Sequence, residues 1–173
     1  MSDTLSQLQI ILYPDPRLRR KCEPVTDFSP ELNALAGRMF DLMREAKGVG
    51  LAAPQVGVLL RMFVMNHTGE PGDDRVFVNP RFVDRDGWQE GEEGCLSIPD
   101  VRVQVRRAAT VKLIAQDLAG VEYEYTSEEL IARIWQHETD HLNGVLILDH
   151  MRPTDRIATK KTLKELEARY RGD

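Results

Sequence analysis

The stretch SEELIARIWQHETDHLNG, residues 127–144, decides how this chain is read. Leu130, Ile131, Ile134, Trp135 and Glu138 recur at helical spacing and fill a wide face, which predicts a largely buried helix over 127–142. Thr126 with Glu129 three residues on fits a capping box, and Asn143-Gly144 supplies the stop. Inside this helix lies His137-Glu138-Thr139-Asp140-His141. Two imidazoles four residues apart project from one helix face. Both can bind a single metal ion, with Glu138 beside the ion's open position.

Working outward, the N-terminal 28 residues read as mostly irregular, punctuated by Pro14, Pro16 and Pro24. A first helix follows. Ser29 can cap it, Pro30 suits its first position, and Leu32, Leu35, Ala36, Met39, Phe40 and Met43 share a core-facing side. Arg44 and Lys47 fall in its last turn and Gly48 ends it. The middle reads as strands at 59–65, 76–78, 101–105 and 110–115, with Pro80 and residues 84–87 breaking the chain between them. Asp117 to Gly120 turns into a strand at 121–125. A last helix, 154–171, carries Ile157, Leu163, Leu166 and Tyr170 among many charges and reads as a surface helix. The order predicts an α+β fold: mostly antiparallel sheet around the central histidine-bearing helix, as one domain over 1–173.

The bulk numbers narrow the function. A net charge of -5 argues against broad nucleic-acid binding. No apolar run is long enough to span a membrane, and Met1-Ser2-Asp3-Thr4 lacks a signal-peptide layout. Cys22 and Cys95 make a poor disulfide framework, so a reducing cytoplasm is expected, where a cysteine is free to be a thiolate.

A catalytic metal usually takes three protein ligands and keeps one open position. The candidate third ligand is Cys95, in Glu92-Glu93-Gly94-Cys95-Leu96-Ser97. An ion there would lower the pKa of a water toward neutrality, and Glu138 could take and give protons. The segment Gly48-Val49-Gly50-Leu51-Ala52-Ala53-Pro54-Gln55-Val56-Gly57 is too apolar and small for a solvated loop. Its small residues let a substrate backbone lie flat, and Gln55 offers a neutral amide to an oxyanion. His67, His150 and Cys22 read as structural, and Trp88 as a partly covered surface ring. Asp140 reads equally as a surface carboxylate or as a group orienting a ligand histidine or an arginine.

Three segments in order, residues 48–55, 93–97 and 136–141, resemble the signature motifs of peptide deformylase, and the resemblance covers most of the chain, from Leu12 to Asp149. It implies removal of the formyl group from N-formylmethionyl peptides, with ferrous iron in the cell, replaceable by nickel, cobalt or zinc. Cys95, His137 and His141 would be the ligands and Glu138 the general acid/base. Gln55 and the Leu96 N–H would form the oxyanion hole. Peptide backbone would pair with Val49, Gly50 and Gly94, and the methionine side chain would meet Leu130 and Ile134. Arg102 matches a supporting arginine by position, paired with Glu93. Arg133 and Trp135 sit beside the expected specificity pocket. The basic C-terminal helix is the place for a weak ribosome contact. Two rivals remain: a zincin-like metallopeptidase, and a non-catalytic metal-binding module closed by four protein ligands.

Overall fold

The computed structural model describes residues 2–173. A short helix, α1 (Ser2–Ser6), precedes an irregular stretch broken by one 3-10 turn at Pro16–Arg19. Helix α2 (Pro30–Glu45) and strands β1 (Gly50–Ala52), β2 (Met62–Met65) and β3 (Arg75–Asp86) follow. Next come β4 (Gln89–Cys95), β5 (Ile98–Arg107), β6 (Thr110–Gln116) and β7 (Glu122–Glu128), then α3 (Glu129–Leu142) and α4 (Pro153–Arg171). One antiparallel sheet has the order β1-β2-β3-β6-β7, and β4 and β5 form a second, two-stranded sheet inserted between β3 and β6. The expected α+β class holds.

Strand alternation places the helices. Met62 and Val64 of β2 join Leu51 and Val78 against α2, in one core with Leu32, Leu35, Met39 and Met43. Phe63 and Met65 point the other way and pack with Phe77, Leu113, Ala132, Trp135 and Leu142, so α3 covers the opposite face. A sheet covered on both sides needs apolar residues at every position, which is why β2 reads as an unbroken apolar run. A third core forms under the small sheet from Val101, Val103 and Val105 of β5, Leu146 to Leu148, and Leu166 of α4. The face of α3 bearing both histidines thus lies between the two sheets.

Several boundaries differ from the sequence expectation. Lys47, not Gly48, takes the left-handed position after α2, at φ 57. Its N–H donates to Arg44 and that of Gly48 to Met43, a Schellman closure that needs the left-handed residue one place earlier. Gly48 is small for another reason: a Cβ there would come within 2.6 Å of the Leu96 side chain. Pro80 does not break β3. The register shifts between Val78 and Arg81, so proline falls out of the ladder at a bulge. Asn79 (φ 52) anchors that bulge by bonding both backbone groups of Val25. The turn expected at 84–87 shrinks to the left-handed Gly87, where the chain passes from the large sheet to the small one.

The expected capping box at Thr126 is absent. Strand β7 pairs with β6 as far as Glu128, and sheet hydrogen bonding there overrides the local capping preference, so α3 starts at Glu129. On α4, Leu166 is buried and Leu163 packs on the third core, but Ile157 and Tyr170 are exposed. Its apolar face is narrower than its sequence implies.

Gly144 closes α3 at φ +73, where a Cβ would stand 2.3 Å from the Arg19 carbonyl oxygen. Gly144→Ala should therefore cost at least about 2 kcal/mol, from backbone strain plus the clash. Urea unfolding checks this, and a cost within ~0.5 kcal/mol would contradict the close approach.

Candidate active site

Each site residue reaches its place through a different element. Helix periodicity brings His137 and His141 to the side of α3 that faces β4. Cys95 ends β4, where the register shifts before the chain turns into β5. The Cys95 Sγ lies 3.5 Å from His141 Nε2, which lies 3.3 Å from His137 Nε2. All three donor atoms fall within 4.8 Å of one another. Donors bound at ~2.1 Å (N) and ~2.3 Å (S) to one tetrahedral ion stand roughly 3.4–3.6 Å apart, so the Cys95–His141 and His141–His137 spacings suit one divalent metal. Among the described residues the group has three protein ligands, which leaves a position open and argues against a closed structural site.

Glu93 organises the second layer of contacts. His137 Nδ1 is 2.8 Å from Glu93 Oε1, which turns Nε2 toward Cys95 and His141. Arg107 grips the same carboxylate through Nε (3.1 Å) and Nη2 (2.9 Å), and Arg133 Nη1 lies 2.5 Å from Oε2. Burial alone would raise this carboxyl's pKa, but the hydrogen bonds from His137 and Arg107 hold it well below the ordinary carboxylate range. Arg107 also reaches Asp140 at 2.6 Å, and Asp140 accepts from His150 at 3.0 Å. Asp140 thus orients an arginine rather than a ligand histidine.

Glu138 has the opposite environment. Its side chain is buried (5% exposed) and Oε2 has no partner among the described residues. Burial pushes its pKa up to about 7, a value suited to exchanging a proton near neutrality. Gly50 of β1 packs directly on it: a Cβ at Gly50 would meet Glu138 Oε1 at 2.7 Å. Gln55 sits in a 3-10 turn after β1, 1% exposed. Its Oε1 accepts from the Ala52 N–H, and Nε2 donates to Ser97 Oγ at 3.1 Å while lying 3.5 Å from Cys95 Sγ. The amide is thereby fixed with its donor end toward the metal ligands.

A cavity of about 420 Å³ opens onto this cluster. Val49, Gly50, Gln55, Glu93, Gly94, Cys95, Leu96, Leu130, Ile134, His137 and Glu138, all expected at the site, line it. Strand β1 pairs only with β2, and β4 only with β5, so each presents an unpaired edge here.

Arg102 corrects the sequence reading. It lines the cavity mouth but does not pair with Glu93; its side chain is exposed and approaches Glu92 at 4.0 Å. Arg107 does the work expected of it. The alternation of β5 held the signal, since Val101, Val103, Val105 and Arg107 share the buried face and Arg102 lies on the other. Arg133 was placed near the pocket by sequence, but its grip on Glu93 was not visible, and neither was the Ser97–Gln55 bond. Trp135 is turned away from the cavity and packs on Phe77 and Tyr125. Cys22 is buried, and burial pushes its thiol up to about 11, consistent with a structural role.

Comparison with known proteins identifies the family. The family model described as polypeptide deformylase matches residues 7–157. A peptide deformylase of Acidobacterium capsulatum is 44% identical over 91% of this chain and 94% of its own length. One from Chromobacterium violaceum is 42% identical, over 94% and 98% respectively. Among solved structures, a peptide deformylase of Plasmodium falciparum superposes with a TM-score of 0.92 at 38% identity, covering 95% of this chain and 98% of that one. The Legionella pneumophila enzyme gives 0.88 at 41% identity, over 96% and 98%. The chain belongs to the polypeptide deformylase family. None of these relatives is named as a zincin-like peptidase.

If Arg107 rather than Arg102 supports Glu93, Arg107→Ala should cost about 3–5 kcal/mol by removing the two-point partner of a buried carboxylate that Arg133 and His137 then answer only in part, and Arg102→Ala less than about 0.5. Urea unfolding near neutral pH separates them, and equal costs would return the role to Arg102. The depressed pKa of Glu93 also fixes a sign. Its stabilisation is complete above the unfolded carboxyl value, near ~4.3, and is lost as pH falls below it toward the folded value. The stability gap between the wild type and Glu93→Gln should therefore narrow in acid.

Proposed function

We propose that this deformylase-family chain removes the N-formyl group from formylmethionine at the start of nascent polypeptides, with the residues above in defined roles. The observation that carries the reading is the set of Cys95, His137 and His141 beside a buried carboxylate, Glu138, with one uncommitted oxygen. A divalent ion held by the three ligands would supply Lewis acidity and lower the pKa of a water. Thiolate and imidazole donors suit ferrous iron, our choice for the native ion, and also zinc, nickel or cobalt.

The chain's own groups do the rest. Glu138 takes a proton from the attacking water and delivers it to the leaving amine, so formate and a free N-terminus depart. The Gln55 amide and the Leu96 N–H donate to the formyl oxygen as negative charge builds there. The peptide lies between the open edges of β1 and β4, bonding backbone at Val49, Gly50 and Gly94 as an added strand. Leu130 and Ile134 take the methionine side chain. Leu130 is 54% exposed, an apolar residue with surface left to cover. Gly50 is indispensable, because any side chain there would displace Glu138.

The substrate places the protein where translation starts with formylmethionine; in a bacterium this is the cytoplasm. No described helix is long and apolar enough to cross a membrane. We assign the weak ribosome contact to the exposed lysines of α4, Lys160, Lys161 and Lys164, and read residues 1–173 as one domain.

Formate release from formyl-Met-Ala-Ser by anaerobically purified iron or nickel enzyme tests the activity. Glu138→Ala should abolish turnover and Gln55→Ala should lower it by on the order of a hundredfold. Turnover unchanged in Gln55→Ala would remove that residue from the oxyanion hole. Chelation should stop activity and lower the melting temperature, and added nickel should restore both, since an ion bound only by the folded chain stabilises it. A melting temperature indifferent to chelator would deny the three-ligand site.

A further inference from the structure

A second cavity, of about 400 Å³, lies on the other side of the Arg107–Asp140 pair and shares no lining residue with the active-site cleft. Phe82 and residues 85–88 form one wall, the end of β5 another, and Gln136, Thr139 and Asp140 of α3 with Asn143 just after it the third. It holds two cations of an unusual kind for a chain of net charge -5. The Arg106 guanidinium lies over the Trp88 ring at 4.2 Å from its centroid, and Arg85 lies over Phe82 at 4.7 Å. Neither guanidinium meets a carboxylate or a carbonyl among the described residues. The aromatic faces orient the two heads while leaving their N–H edges unbonded.

The cavity's own acids are Asp86 and Asp140, and Asp140 is already engaged by Arg107 and His150. Thr139, 6% exposed, lines the same wall, and its hydroxyl has no partner among the described residues. Trp88 is 68% exposed despite Arg106 on one face. It offers a second ring face for stacking.

We propose that this cavity binds a small organic phosphate bearing a planar ring, of nucleoside monophosphate size. Each guanidinium fork lines the cavity and matches phosphate oxygens, and the Trp88 ring takes the planar group. The volume lies within the range of small-molecule sites.

Calorimetric titration of the metal-loaded enzyme with AMP tests the site. Saturable binding of one AMP per chain is expected, with inorganic phosphate binding more weakly. The double variant Arg85→Ala/Arg106→Ala should lose at least about tenfold in affinity, as expected for charge-assisted hydrogen bonds. It should keep its formate-release activity, which shows that it is folded. Trp88→Ala should weaken AMP but not inorganic phosphate. No saturable binding, equal affinity in the double variant, or AMP no tighter than inorganic phosphate would each overturn the proposal. Competitive inhibition of deformylation by AMP would place it in the active cleft and also overturn it.

Discussion

A buried carboxyl stays fully ionised only if its charge is answered by neighbouring donors, and Glu93 is the residue on which this constraint falls hardest. Two arginines and a histidine converge on it from two different elements, β5 and α3. The consequence is geometric as well as electrostatic. By fixing His137 Nδ1, Glu93 fixes the tautomer and the direction of the metal-facing nitrogen. By binding Arg107 and Arg133 together, it ties the small sheet to the helix that carries both imidazoles. Breaking this contact would loosen the joint that brings Cys95 of β4 to the histidines of α3.

The two buried glutamates divide the chemical labour. Glu93 is saturated with donors and stays ionised, so it can orient but not exchange protons. Glu138 has one oxygen without a partner, and burial raises its pKa to about 7. The same side chain, in two environments within one site, becomes a fixed anion in one place and an exchangeable acid in the other. The contrast depends on Gly50, which leaves room for Glu138 while β1 passes close beside it.

The fold supports the substrate as well as the site. Strand β1 ends the large sheet and β4 belongs to a two-stranded sheet of its own, so both present an edge, and both line the same cleft. An unpaired edge is normally a liability. Here two such edges line one cleft, and the backbone groups of the proposed extended peptide would satisfy those left open. Helix α3 lines the cleft and is held by a buried core on its other side, so His137, Glu138 and His141 sit on a rigid element.

Local chemistry by itself determined the metal motif, the glutamate between the histidines, both long core-facing helices and the α+β class. These depend on spacing within one element, which helix and strand periodicity makes legible. It also determined which three segments meet, although only because their combination resembles a known family. The tertiary structure alone decided the rest. Arg107, not Arg102, neutralises Glu93, because the face a strand residue occupies is set by its register with a partner strand. Pro80 could stay inside β3 because Asn79 beside it anchors a bulge to the distant Val25. The capping signal at Thr126 yielded to β-pairing with β6. Each of these outcomes rests on a contact between residues far apart in sequence. Such a contact has no local signature, because its energy exists only once two elements pack.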